Sequence, residues 1–397
     1  MNRFDYIIVG AGSAGCVLAN RLSADRSVSV CLIEAGPVDS NPLIHAPFGF
    51  SLLAENKKIN WCFETIPQQQ LKGRRSYQPR GRVLGGSSSV NAMVYARGTP
   101  ADYDRWAEAG AAGWSYRDVL PYFKRSEDQE RGENEFHGTG GPLAVSDLRY
   151  KNPLSQMFID AALHLGFPVN DDFNGASQEG VGFYQVTQRD GRRCSAAAAY
   201  LAPVLGRSNL GVVTGAHVEK VVIDGKRAVG VQYHDGDREV TLGANREVLL
   251  SAGALQSPQL LMLSGIGAAD HLKEHGIEIV HDSPGVGENL QDHFDYTAIR
   301  RVTSSHAMGY TLTRTLTAIP DFFRYRKGEG RFTSNLAEAG GFLRTSSEET
   351  APDIQLHFVP GIVDDHGRKM HFVAGVSCHV CVLHPESRGR VTLLDAD

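Results

Sequence analysis

The sequence has no apolar run near the roughly 20 residues that span a bilayer, so membrane contact, if any, is expected to be peripheral. It has no excess of one charge. Lys and Arg number 40 against 45 Asp and Glu, which provides no basic surface for nucleic acid. Cysteine is sparse: Cys16, Cys31, Cys62, Cys194, Cys378 and Cys381 are scattered, as in a reduced intracellular chain. Cys378 and Cys381 have CxxC spacing, but no second ligand pair is evident, so no metal site is expected and "VSCHVCVL" reads as a strand. No repeat is visible. No targeting segment is expected, because the first apolar stretch, "FDYIIVGAG" from Phe4, is only strand length.

Glycine is what the chain has in excess, with 43 residues in 397. That is more than turns usually need and points to backbone packed against a ligand. The length exceeds one compact core and predicts two domains or one two-part body.

"DYIIVGAGSAGCVLANRL" reads as strand, turn and helix. Gly10, Gly12 and Gly15 form GxGxxG: a tight turn, a close approach to a pyrophosphate, and close helix–strand packing. Ser13 and Ala14 open a helix running to about Leu22, whose N-terminal amides would face the phosphates. A second strand ends at Glu34, 34 − 15 = 19 residues past Gly15, where an acid accepts from ribose hydroxyls. Glu34 and the adjoining Ala35 suit either NAD or FAD. The β-rich stretch from about 210 to 250 predicts hairpins, with a turn signal at Asp224-Gly225. "REVLLSAGALQSPQLLMLSGIG" predicts a strand returning to the parallel sheet, then a helix. "CSAAAAYLAP" predicts a short helix ended by Pro203. From about Thr297 the pattern is mixed α and β.

"GRVLGGSSSVNAMVYARGTPADYD" (81–104) resembles the first signature of the glucose–methanol–choline (GMC) family of FAD oxidoreductases, and "GALQSPQLLMLSGIG" (253–267) resembles the second. "VGAGSAG" and "GVGENLQDH" (285–293) follow the same order. The fold implied is α/β: a Rossmann-like FAD-binding domain with a parallel sheet, plus an α+β substrate domain on a mostly antiparallel sheet. The first would occupy mainly 1–297, with an interleaved substrate-domain segment at about 150–205. The second would occupy 298–397, stopping in mid-domain. Within the family the chain is similar to bacterial alcohol dehydrogenases of the alkane-utilisation type, with choline dehydrogenases as near neighbours.

The resemblance implies that the serine–glycine run lies along the flavin. Arg82, Leu84, Gly85, Ser88, Asn91, Ala92, Met93 and Val94 would hold the cofactor there, with Val218 on the nucleotide side. Relatives that bind FAD covalently carry His where this chain has Val90, so non-covalent FAD is expected. The family's catalytic His lies in an "HPxGT"-like motif that these residues lack. His384, in "LHPESRGRV", belongs to a substrate-domain strand and is not taken as the base. Glu338 in "SNLAEAGGF" is a candidate substrate contact. Asp292 and His293 would lie near the flavin or form a structural pair, and His137 would be a loop residue.

The activity implied is oxidation of a primary, aliphatic alcohol to the aldehyde, with electrons leaving to a non-NAD acceptor. The alternatives are choline dehydrogenase or, from another class, a catalytically inactive flavin-binding fragment or pseudoenzyme. A membrane quinone is a candidate acceptor. The basic run "RYRKGEGR" (324–331) would touch anionic lipid, placing the protein in the cytoplasm or peripherally on the inner face of the cell membrane.

Overall fold

The computed structural model describes residues 3–236, 238–308 and 319–396. Two sheets organise them. Strand β1 (Arg3–Val9) lies between two parallel neighbours, β2 (Val30–Glu34) and a strand contributed much later in the chain. Successive residues of β1 and β2 face opposite sides, and both sides are covered, which is why residues 7–9 of β1 and 30–33 of β2 are apolar without a break. Ile8, Val30 and Leu32 pack on helix α1 (Ser13–Leu22) through Cys16 and Ala19. Ile7, Val9, Cys31 and Ile33 pack on the other side.

Between the sheets in sequence come helix α2 (Pro153–His164) and strand β3 (Gly180–Phe183). The chain then returns through β4 (Leu210–Thr214), the hairpin β5 (Ala216–Asp224) and β6 (Arg227–Asp235), and β7 (Arg238–Leu250). The first sheet runs β4-β2-β1-β7-β6-β5, parallel in its first four strands and antiparallel over the hairpin. The hairpin turns at Asp224-Gly225 as expected, with Gly225 at φ +58°. Helix α3 (Gly253–Leu263) follows β7 directly, also as expected.

The second sheet is antiparallel and ordered β8-β11-β10-β9-β3, from β8 (Phe294–Arg301), β9 (Ala339–Leu343), β10 (Ile354–Val359) and β11 (Gly375–Val382). Helix α2 covers one face, where Phe158 stacks on Phe358 with centroids 4.7 Å apart. Cys378 and Cys381 are three residues apart in β11, so their side chains take opposite faces of the sheet. Burial pushes both thiols up, to about 11 and about 12. They behave as small hydrophobes, and no metal-ligand cluster occurs among the described residues.

Three expectations are corrected here. Within 150–205, α2 and β3 do join the second sheet, but 194–204 packs against α1 in the first core. β8 begins at Phe294, ahead of the boundary expected at 298. Periodicity identifies a strand but not the sheet that receives it. The alanine run forms a wide π-type turn, Ala197–Leu201, then a 3₁₀ turn, Ala202–Val204, so Pro203 sits inside a tight turn instead of ending a helix. Among the described residues, no helix is long and apolar enough to cross a membrane.

His137 is on a loop, but its side chain is buried at 3% exposure between two acids. Its Nδ1 lies 3.0 Å from Glu127 Oε1 and its Nε2 3.0 Å from Asp172 Oδ2, while Arg97 Nη2 reaches Glu127 at 2.8 Å. The network ties the end of the 81–97 segment to the loops around 137 and 172. Burial opposes the charge on His137, but the bonds to Asp172 and Glu127 prevail and raise it to about 9. Glu127 and Asp172 are held low, against burial, by His137 and, for Glu127, by Arg97 as well.

A raised histidine contributes stability that is complete below its unfolded value of 6.5 and is lost as pH climbs through about 9. The lowered acids contribute above their ordinary values and lose that contribution as pH falls through their depressed ones. His137→Gln should therefore cost about 3 kcal/mol at pH 6, and the gap to the parent should shrink toward pH 10. Thermal unfolding across that range measures it, and a pH-independent gap would contradict the ion network.

Candidate cofactor site

The three glycines of the N-terminal turn are required for three different reasons. Gly10 adopts φ +96°, and a Cβ there would stand 2.6 Å from the Ser251 carbonyl oxygen. A Cβ on Gly15 would stand 1.9 Å from the Gly10 carbonyl oxygen, which explains the tight seating of α1 on β1. Gly12 is different. Its backbone is extended at φ −72°, and the nearest protein atom to an added Cβ is 4.0 Å away. Nothing among the described residues demands glycine at 12, whereas a ligand seated on the turn would. No side chain caps α1, and Ser13 and Ala14 in its first turn are exposed, leaving amides and the positive helix end for an anion.

Glu34 ends β2 beside this turn at 5% exposure. Its Oε2 accepts from Ala11 N and its Oε1 from Gly36 N, both at 2.9 Å. Burial raises its pKa, and these two amide bonds pull the other way. Each oxygen keeps a lone pair for a hydroxyl donor. A cavity of about 870 Å³ opens here, walled by Gly10, Gly12, Ser13, Ala14, Glu34, Ala35 and Val218, and by Trp61, Arg80, His217 and Ser251 from outside the motif. The ladder between β5 and β6 slips at Glu219, just past Val218, which frees backbone groups on that wall. Arg82 sits 4.9 Å over Trp61, and Trp61 lies 5.5 Å from His217. Burial, then Arg82, keeps His217 below its usual value.

The run from 81 to 89 is small for a reason beyond ligand contact. A Cβ on Gly36 would meet the Arg82 carbonyl oxygen at 1.9 Å, one on Gly81 the Gly86 oxygen at 2.2 Å, and one on Gly86 the Gly12 Cα at 2.7 Å. Three loops thus lie backbone on backbone. Gly85 turns at φ +87° and donates from its N–H to Ala11 O. The Leu84 side chain is buried in the core with Ala197, so only its backbone belongs to the site.

Beyond this junction, Ser88 Oγ donates to Gly85 O at 2.6 Å and accepts from Ala196 N at 2.9 Å. Asn91 Oδ1 accepts from Met93 N and from Arg193 Nη1. Asn335 Nδ2 donates to Ala92 O at 2.7 Å, Met93 is held at φ +60°, and Val94 bridges to Val186. Among the described residues, eight buried side-chain polar atoms have no partner, and four of them line this run: Arg82 Nε, Gln188 Oε1, Arg193 Nη2 and Asn335 Oδ1. Buried polar atoms are normally satisfied, so this concentration, with the open face of Gly12, fits an extended polar ligand such as a dinucleotide.

Other candidates fare differently. Glu338 is fully buried, and both its oxygens are engaged: Oε1 by Ser334 Oγ at 2.5 Å, Oε2 by Asn152 N at 2.7 Å and Ser155 Oγ at 2.8 Å. It anchors the start of α2 to β9. At 0% exposure, with Ser334, Asn152 and Ser155 around it, its position supports this structural role over the substrate contact expected of it. Asp292 and His293 are both exposed, joined by the His293 N–H donating to Asp292 Oδ1 at 3.0 Å. His384 Nε2 is 2.8 Å from Asp102 Oδ1. Trp61, Arg80, His217, Ser251 and Arg193 carry no local motif. Only the fold brings them to the site.

A family model described as GMC oxidoreductase matches residues 4–295. The chain is 51% identical to "Alcohol dehydrogenase [acceptor]" of Pseudomonas putida, across 99% of the chain and 72% of that protein. It is 44% identical to an oxygen-dependent choline dehydrogenase of Brucella melitensis, across 99% of the chain and 71% of that protein. Among solved structures, pyridoxine 4-oxidase from Mesorbium loti superposes with a TM-score of 0.85 at 32% identity, over 99% of this chain and 74% of that one. A formate oxidase of Aspergillus oryzae, whose structure concerns FAD modification, superposes with a TM-score of 0.89 at 28% identity, over 100% and 75%.

The two kinds of glycine can be separated experimentally. Gly12→Val should melt like the parent yet bind FAD about 100-fold more weakly, a loss of about 2.7 kcal/mol. Gly36→Ala should lose about 2 kcal/mol or more of stability, since backbone must move to admit its Cβ. Circular dichroism melts and flavin fluorescence titrations read the two effects, and a Gly12→Val protein with parental FAD affinity would contradict the site.

Proposed function

This chain belongs to the GMC oxidoreductase family, and on that premise we propose that it is an FAD-dependent alcohol dehydrogenase that oxidises primary aliphatic alcohols to aldehydes. The observation that carries the cofactor assignment is Gly12, a glycine that no atom among the described residues requires, facing a large cavity beside a buried acid. When bound, FAD supplies the acceptor for the hydride of the carbinol carbon. The chain's own residues do the rest. Gly10, Gly12, Ser13, Ala14 and Gly15 take the diphosphate, and Glu34 and Ala35 the ribose. Val218, with Trp61 and His217 beside it, walls the far end. Arg82, Leu84, Gly85, Ser88, Asn91, Ala92, Met93 and Val94 support the ring side. Val90 has no nucleophile, so attachment is non-covalent.

The substrate follows from the wall beside the ring side. Ala92 and Val94 join Phe48, Phe50, Leu336 and Met308 in an apolar cluster, so the surroundings of the ring side match an alkyl chain better than a charged group. A carboxylate to pair with the choline cation is not offered by Glu338, which is fully buried. Electrons then pass to a non-NAD acceptor, with a membrane quinone as the reading favoured here. In the helix Ile319–Tyr325, Phe322 and Phe323 are exposed, and Arg324, Arg326 and Lys327 lie beside them. Such a surface suits peripheral attachment to the anionic inner face of the cell membrane. No base is assigned, because His384 is held by Asp102 and the "HPxGT"-like motif is not among these residues.

Anaerobic 1-octanol should bleach the flavin band with a kcat/KM at least about 100-fold above that for choline. Faster bleaching by choline would favour the choline dehydrogenase reading, which the 44% identity to such an enzyme keeps in view. A yellow protein bleached by neither would favour a flavin-binding protein without turnover.

A further inference from the structure

Arg193 is an unusual buried cation. It is 4% exposed, and all three of its bonds go to neutral acceptors: Nε to Ile44 O at 2.7 Å, Nη1 to Ser88 O at 3.0 Å, and Nη1 again to Asn91 Oδ1 at 2.8 Å. Among the described residues, its Nη2 has no partner and no carboxylate contacts it. Buried charges are ordinarily paired with an opposite charge. The other buried arginine with an unpartnered atom, Arg97, follows that rule by pairing with Glu127. Burial pulls Arg193 down to about 9, still a cation at neutral pH, with no neighbouring acid to hold it up.

The position of this charge gives it a use. Asn91 is exposed, while its Oδ1 is held by Arg193 Nη1 and by Met93 N. With the oxygen tied down, the amide must present Nδ2, its donor edge, outward. The same guanidinium binds the Ser88 carbonyl, so one unneutralised charge sits directly behind the segment assigned above to the ring side of the flavin.

We propose that Arg193 is a positioning residue for the redox step: it fixes the donor edge of Asn91 toward the cofactor, and its uncompensated charge favours the electron-rich, reduced form of FAD. The inference rests on the reading of 88–94 as the ring side of an FAD site. The chemical principle is that a fixed cation and an oriented donor in a water-poor site stabilise negative charge where it develops. The charge that Arg193 lacks in the protein is the one that reduction would supply.

The test uses FAD-loaded wild-type protein, Arg193→Gln and Arg193→Lys, with sulfite as a probe of flavin electrophilicity and dye equilibration for the potential. Arg193→Gln should weaken the sulfite adduct at least tenfold and lower the two-electron potential correspondingly, by about 30 mV. Its kcat should fall with KM for the alcohol unchanged. Arg193→Lys keeps the charge and should stay within about threefold of the parent in sulfite affinity. Parental sulfite affinity and potential in Arg193→Gln would overturn the proposal, as would weaker FAD binding with no change in either. If Arg193→Gln does not retain FAD, Arg193→Lys decides: parental values support a charge role, and a tenfold loss despite the retained charge overturns it. Wild-type protein that takes up no FAD would overturn the site reading itself, a failure visible before any variant is made.

Discussion

The contact on which this structure depends is backbone against backbone. The turn at Gly10–Gly15, the end of β2 at Gly36, and the run from Gly81 to Gly86 meet with no room for a Cβ at several points. Packing at that distance leaves side chains out of the junction, so what the junction itself turns to the cavity is amide groups, a helix end and one buried acid, with Trp61, Arg80 and His217 walling the remainder. Amides positioned by neighbouring backbone do not need to reorganise when charge arrives. Both the binding of a diphosphate and the rigidity of the loop beyond it follow from the same absence of side chains.

Once that junction is closed, the segment from Ser88 to Val94 is left to be supported from behind. Asn335, and Gln188 and Arg193 facing each other across one short hairpin, supply that support, and each keeps a polar atom unsatisfied. A protein built only for stability would bury apolar groups there. Unsatisfied buried polarity around a strained residue, Met93 at φ +60°, is the expected cost of a surface shaped for another molecule. The fully bonded Glu338 is the contrast. Its bonds join α2 to the second sheet, and its burial sets it apart from the cavity.

Local patterns in the chain foretold the parts whose physics is local. The glycine spacing, the helix Ser13–Leu22, the acid at the end of β2 and the hairpin at Asp224-Gly225 lie where pattern reading puts them. Motif resemblance extended that to the 81–104 and 253–267 signatures. It reached no further for Trp61, His217 or Arg193, since a lone aromatic or a lone basic residue reads the same on a solvated loop as on a cavity wall. His137 shows the limit most clearly: its loop was legible, while its burial between Glu127 and Asp172 was not.

The amino-acid order alone determined the strand–turn–helix of the dinucleotide fingerprint, the alternation of the later strands and the demand for small residues in the first signature. These depend on φ/ψ preference and on periodicity within a few residues. Tertiary structure decided which sheet each strand joined, why Gly86 and Gly36 cannot be larger, that Glu338 is buried against Ser334, Asn152 and Ser155, and that a cation with no carboxylate partner among the described residues stands behind Asn91. Each of those facts is a distance between residues far apart in the chain, and such distances exist only once the two sheets and their loops have closed on one another.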